Sequence, residues 1–168
     1  MQVSLCGAKA QSASVRGPVQ LKQNHEAKMV SACGVLCSAC PAYHGDSKGV
    51  EHQKRTAAAW HRIYGLDESF VNISCGGCLG PDDQLFHTSR ACKARRCCRS
   101  KGFATCAECR VRACRDLAKA QAVWDGVPGL VKILSHEDFV TYARPYCGHR
   151  RRLAELRRAL RRNAQPRT

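Results

Sequence analysis

A mainly α fold, built of short helices and irregular cysteine-rich loops and closed by a basic C-terminal helix, is predicted by three features of this 168-residue chain. Apolar residues recur at helical spacing in several stretches, and no stretch alternates convincingly as a strand. Every cysteine except Cys6 and Cys147 falls between Cys33 and Cys114, in short clusters that suit turns. Aromatic residues make up only 6% of the chain, so the cysteine-rich span has little apolar surface with which to hold itself together.

The elements follow in order. Residues 1–28 are rich in Gln, Ser, Ala and Lys, contain Gly17-Pro18 and read as a disordered N-terminal tail. Met29 opens the compact domain, drawn here as 29–145. Pro41 begins a short helix. Ser47 caps a second one that runs to Tyr64, with Val50, Ala57, Trp60 and Tyr64 near helical spacing and Gly65 as its stop. Trp60 and Tyr64 are core residues in this reading. Val71 and Ile73 alternate into the turn at Cys75, where Gly76 and Gly77 permit positive φ. Residues 80–90 form a loop with turn chemistry at Pro81-Asp82-Asp83. A short helix covers Cys92 to Arg99 and stops near Gly102. Cys92 and Cys97 lie five apart, which does not put both on one side of a helix, so a break or different partners must intervene. Helices are expected at Val111–Trp124, from Pro128 to Leu134, and after the cap at Ser135 through Phe139 to Arg144. The last helix, Arg150 to Arg162, carries Leu153, Leu156 and Leu160 on one face and belongs to a basic segment, 146–168.

The cysteine spacings carry the chemistry. They read C-x3-C-x2-C at Cys33, Cys37 and Cys40; C-x2-C at Cys75 and Cys78; C-x4-C at Cys92 and Cys97 with Cys98 adjacent; and C-x2-C-x4-C at Cys106, Cys109 and Cys114. A tight turn between cysteines two residues apart brings both sulfurs within reach of one ion, and thiolates satisfy zinc and iron. Metal binding then supplies folding free energy that a small core cannot, which makes this a metal-stabilised domain. Disulfides are the competing reading. They need an oxidising compartment, whereas the N-terminus lacks an apolar signal region and the 13 cysteines are odd in number. The expected setting is cytoplasmic. With no stretch of about 20 apolar residues, no membrane is expected as a partner.

The net charge is +15. Two zinc ions, each held by four thiolates, would lower it to about +11. Nine Lys or Arg lie in 90–115 against Glu108 alone, and eight Arg lie in 148–168 against Glu155 alone. Beside thiolates, basic residues offset the negative field of the site. In the last helix Arg150, Arg151, Arg152, Arg157, Arg158, Arg161 and Arg162 are the candidates for contact with non-specific nucleic acid. No aromatic interleaving and no classical finger spacing accompany them.

Four segments together, CGVLCSACPAY at 33–43, CGGCLG at 75–80, CKARRC at 92–97 and KGFATCAECRVRAC at 101–114, resemble the small bacterial and archaeal cysteine-rich family filed as domain of unknown function 3795. AAAWHRIYG at 57–65 is similar to that family's segment before its second cysteine pair, and the resemblance covers about 30–135. It implies a fold and a metal expectation, with Cys33, Cys37, Cys40, Cys75, Cys78, Cys92, Cys97, Cys106, Cys109 and Cys114 at the family positions. Cys6, Cys98 and Cys147 stand outside it. Many relatives carry a further cysteine shortly before the position of Cys92; His87 and Ser89 stand there here, which makes His87 a substitute ligand. The family implies no reaction.

Zinc at two or more sites is the cofactor expected first. The turns Cys75/Cys78 and Cys106/Cys109 are one way to clasp an ion with four thiolates. A 4Fe–4S cluster at Cys33, Cys37 and Cys40 is the alternative, on the spacing used by radical enzymes that bind S-adenosylmethionine, although the chain is too small for their barrel. Ten cysteines are not a multiple of four, so His, Cys98, Cys147 or water completes a site, or thiols stay free. His44, His52 and His61 are packed or surface imidazoles. No Ser–His–Asp order, carboxylate dyad or phosphate-binding loop is present, and no catalytic constellation emerges. Three classes follow: a structural or interaction module with a protein partner, an iron–sulfur or thiol redox protein, and a nucleic-acid-binding module.

Overall fold

The computed structural model describes residues 29–164, so the expectation for 1–28 lies outside the described residues. Among these, helices dominate and there is no strand; two isolated bridges, Val30 to Leu36 and Tyr43 to Cys75, are the only ladder contacts. No helix is long and apolar enough to cross a membrane. No disulfide forms among the twelve cysteines described.

Helix α1 (Val50–Tyr64) is the longest element before the C-terminal helix and ends at Gly65 as its sequence predicts. Its N-terminus falls at Gly49, and the Ser47 hydroxyl donates to the His44 carbonyl within a preceding 3-10 turn, so Ser47 is not the cap. Gln53, Thr56, Ala59 and Trp60 form its buried face. Val50, expected on that face, is 54% exposed. The polar pair replaces it because both can bond backbone there: Gln53 Nε2 donates to the Ile73 carbonyl and Thr56 Oγ1 to the His52 carbonyl. Trp60 meets Phe86 edge to face, with centroids 5.3 Å apart. Ile73 is fully buried while Val71 is exposed, as the alternation requires.

Two short helices, α2 (His87–Arg90) and α3 (Lys93–Ser100), interrupt what the sequence reads as loop and helix. Cys92 is the extended N-cap of α3, which separates it from Cys97 and supplies the expected break. Helix α4 (Arg115–Ala122) begins four residues later than Val111, because 110–113 wrap irregularly around the cysteines of the preceding turn. Residues Val127–Lys132 form a 3-10 helix, and the three-residue α5 (His136–Asp138) runs into a π-helical turn, Phe139–Ala143. Ser135 Oγ accepts from the Asp138 amide at 3.1 Å, as a cap should. The Asp138 carboxylate turns away to Arg62, 2.8 Å distant, so the reciprocal half of the capping box is absent.

Helix α6 (His149–Ala164) is seated on the core and shares it with 29–145. Leu153 is buried, and Leu156 and Leu160 pack against the same cluster as Trp60 and Tyr146. Its first turn crosses the loop before Cys37 so closely that a Cβ on Gly34 would lie 2.1 Å from the His149 carbonyl oxygen; Gly34 also has φ +102°.

The Cys75–Cys78 loop is held from behind by Arg95 on α3, whose side chain is almost fully buried. Its guanidinium donates from Nε to the Cys78 carbonyl (2.9 Å) and from Nη2 to the Gly80 carbonyl (2.7 Å), and pairs through Nη1 with Asp82 (2.7 Å). Charge-assisted bonds from a rigid fork suit two carbonyls and a carboxylate at once. Arg95→Ala should therefore destabilise the chain by about 2–4 kcal/mol in chemical denaturation, since it strands buried carbonyls and leaves a void. Arg99→Ala, at the half-exposed partner of Asp82, should cost under about 1 kcal/mol. Equal effects would show that Arg95 does not organise this loop.

Candidate metal centres

The thiols fall into two groups, and backbone geometry explains the first. Cys37 and Cys40 close a 3-10 turn, with the Cys40 amide donating to the Cys37 carbonyl at 2.9 Å. Three residues on, Tyr43 bridges to Cys75, and the His44 amide donates to the Cys75 carbonyl at 3.0 Å. His44 adopts φ 47° there, unusual for a non-glycine residue. This bridge lays the turn Cys37-x2-Cys40 beside the turn Cys75-x2-Cys78. Gly77, at φ +79°, allows the second turn to close against Met29 and Tyr43. Cys33, Cys78 and Cys92 lie near enough for their charges to act on one another.

Hydrogen-bond donors point at these sulfurs. The Cys78 amide is directed at Cys37, the Ala42 amide at Cys40 and the Ala32 amide at Cys78, the last at 3.3 Å, while the Ser31 hydroxyl lies 3.2 Å from the Cys33 sulfur. Tyr146 places its hydroxyl 3.2 Å from the Cys40 sulfur. Donors of this kind favour the ionised thiol. Burial opposes them and prevails: it pushes Cys37, Cys33 and Cys40 upward, and Cys78 up to about 11 from 9.0, with Arg95 and the Ala32 amide pulling the other way.

The second group surrounds a cavity of about 20 Å³, room for one water-sized body. Cys97, Cys98, Cys106, Cys109 and Cys114 line it, with Phe103, Val111 and Leu117 as apolar wall. The Cys98 and Cys106 sulfurs are 3.3 Å apart. That bond holds Cys98 low and drives Cys106 high. The Cys106 backbone is moored on both sides: its amide donates to the Ala32 carbonyl and its carbonyl accepts from Arg157 Nη2.

This division differs from the pairing of Cys75/Cys78 with Cys106/Cys109. The Cys75 turn stands beside the Cys37 turn, and the Cys106 turn stands in the second cavity. Among the described residues, no three His, Cys, Asp or Glu side chains already form a ligand sphere. The backbone gathers the thiols, and side-chain rotation would have to bring them onto one point. Cys147 stands apart, its thiol directed at the Ala143 carbonyl. Cys6 lies outside the described residues.

His87, expected as a substitute ligand, is half exposed and paired with Glu68 at 2.5 Å, on the rim of a polar groove rather than among the sulfurs. His52 bonds the Pro41 carbonyl, His44 rests against Tyr43, and His61 is exposed. Three of the seven candidate arginines are committed to the protein itself. Arg150 grips Asp125 through two bonds (2.8 and 2.6 Å), Arg152 donates to the Gly34 and Cys147 carbonyls, and Arg157 to that of Cys106. Arg151, Arg158, Arg161 and Arg162 face solvent.

Sequence reasoning missed Tyr146 and Arg95, and named Cys98 only among the residues that could complete a site. For Cys98 and Arg95 a signal existed: with Ala94 they make the buried face of α3, at offsets of one, three and four. Tyr146 sits 106 residues from Cys40, and no local pattern announces that contact.

The family "Protein of unknown function (DUF3795)" matches residues 29–119, more than half of the chain, and the chain belongs to that family. No curated protein and no solved structure matches it. The match holds both thiol groups and ends within α4, whereas Tyr146 and α6, which pack on those groups, lie beyond it.

A thiophilic ion entering the first group must displace protons from Cys33, Cys37, Cys40 and Cys78, whose affinity for them is raised. The zinc affinity of the full chain, measured by chelator competition, should therefore fall as the pH drops from about 8 to 6. The expected slope exceeds about tenfold per pH unit, because more than one thiol gives up its proton. An affinity independent of pH would contradict ligation by these thiols.

Proposed function

We infer that this chain is a cysteine-rich metal-binding protein, with zinc as its first candidate and a structural or interaction role rather than a reaction. One observation carries the reading: two C-x2-C turns, distant in sequence, lie side by side through the Tyr43–Cys75 bridge, with backbone amides aimed at the sulfurs of Cys37, Cys40 and Cys78. Cys37, Cys40, Cys75 and Cys78 would hold the ion, and four thiolates close a tetrahedral site with no position for substrate. When bound, zinc would supply the missing positive charge and a cross-link between the two turns. Cys33 and Cys92 flank this centre. Cys97, Cys106, Cys109 and Cys114, with Cys98, would form a second. The commitment of Arg150, Arg152 and Arg157 to internal partners leaves a nucleic-acid role with little to support it.

The test is metal analysis and an absorption spectrum on full-length protein purified without oxygen. Zinc and a colourless solution are expected; a brown protein containing iron and sulfide would replace zinc with a cluster. Cys37→Ser and Cys75→Ser should each remove about one zinc per chain and lower the melting temperature by several degrees. Cys147→Ser should change neither. Full zinc content in Cys37→Ser would show the ligands to be elsewhere.

A further inference from the structure

Cys98 belongs to none of the segments that carry the family pattern, and the proposed first centre does not use it. Yet it is buried, it lines the second cavity, and its sulfur lies 3.3 Å from that of Cys106. Both backbones are fixed around that contact. The Lys101 and Phe103 amides donate to the Cys98 carbonyl at 3.1 and 2.9 Å, turning the chain back after α3. Cys106 is held by Ala32 and Arg157. An S–S bond of about 2.05 Å needs the sulfurs to approach by a little over 1 Å, within reach of side-chain rotation. Cys97 is next in the chain but exposed, on a different face of α3.

We propose that Cys98 and Cys106 form a redox dithiol site that a small hydroperoxide closes to a reversible disulfide. One sulfur attacks the peroxide O–O bond and takes one oxygen as sulfenic acid, and the other oxygen leaves as water. The second thiol attacks that sulfur, forms the S–S bond and expels the hydroxyl as a second water. Two thiols and one hydrogen peroxide thus give one disulfide and two waters. A dithiol reductant restores the pair by exchange. Where Cys106 also holds an ion of the second centre, a consequence resting on the metal reading, closure removes that ligand and the ion leaves with it.

The experiment uses the full-length chain, reduced and treated with chelator, exposed to equimolar hydrogen peroxide and then alkylated. Peptide mapping should find 97–99 joined to 102–110, with fragmentation placing the bond between Cys98 and Cys106 and about two thiols fewer per chain. Cys97→Ser should still form it, Cys98→Ser should lose it, and dithiothreitol should reverse it. The proposal falls if peptides 97–99 and 102–110 are still joined in Cys98→Ser, if Cys97 is the partner in the wild type, or if sulfinic acid forms in place of the disulfide. Because Cys98 is buried, fragmentation of the wild-type and Cys97→Ser proteins decides the matter even if Cys98→Ser does not fold. Zinc content is measured separately on the reduced protein. A disulfide in a chain that binds no zinc would defeat the metal reading and leave this one standing.

Discussion

Buried thiols set the terms for this molecule. Cysteines from three distant stretches, 33–40, 75–78 and 92, are brought together in the core of a chain with few aromatic residues. As neutral thiols they hydrogen-bond weakly, and as thiolates they repel one another and suffer from burial. The backbone has nevertheless turned several amides toward them. Under the metal reading proposed above, a cation among the sulfurs would compensate both costs.

The scaffold supports the same point from outside. Arg95 fixes the loop at Cys78 through carbonyls, Tyr146 reaches Cys40 from the segment before α6, and α6 itself presses on Gly34. Tyr146 is in turn stacked on Trp124, with centroids 4.5 Å apart, and meets Tyr64 edge to face. The aromatic residues are few, but three of them brace the first thiol group. Arginines that look like a nucleic-acid surface in sequence serve this packing too. Arg152 and Arg157 tie α6 to the Gly34 and Cys106 carbonyls.

Where local physics dominates, the sequence was legible. Helix α1 with its stop at Gly65, the Ser135 cap, the amphipathic α6 and the core positions Trp60 and Tyr64 all follow from spacing and termini. The start of α4 was not, because 110–113 follow the second cavity rather than their own helix propensity. Nor was the partner of the Cys75 turn, since two C-x2-C motifs look alike in sequence and only the Tyr43–Cys75 bridge chooses between them. His87 was misread for a similar reason: proximity in sequence to Cys92 says nothing of Glu68, which claims it. Charge counting missed the internal arginines because a guanidinium bound to backbone carbonyls has the same formal charge as one in water.

The central claim is that four sulfurs, from Cys37, Cys40, Cys75 and Cys78, close on one ion. X-ray absorption at the zinc edge of the full-length, zinc-loaded chain tests it most directly, in wild type and in a Cys75→Ser, Cys78→Ser double variant. The account predicts a sulfur-only shell near about 2.3 Å in the wild type and loss of about one zinc per chain in the variant. A shell dominated by nitrogen or oxygen, or an unchanged sulfur shell and zinc content in the variant, would contradict it.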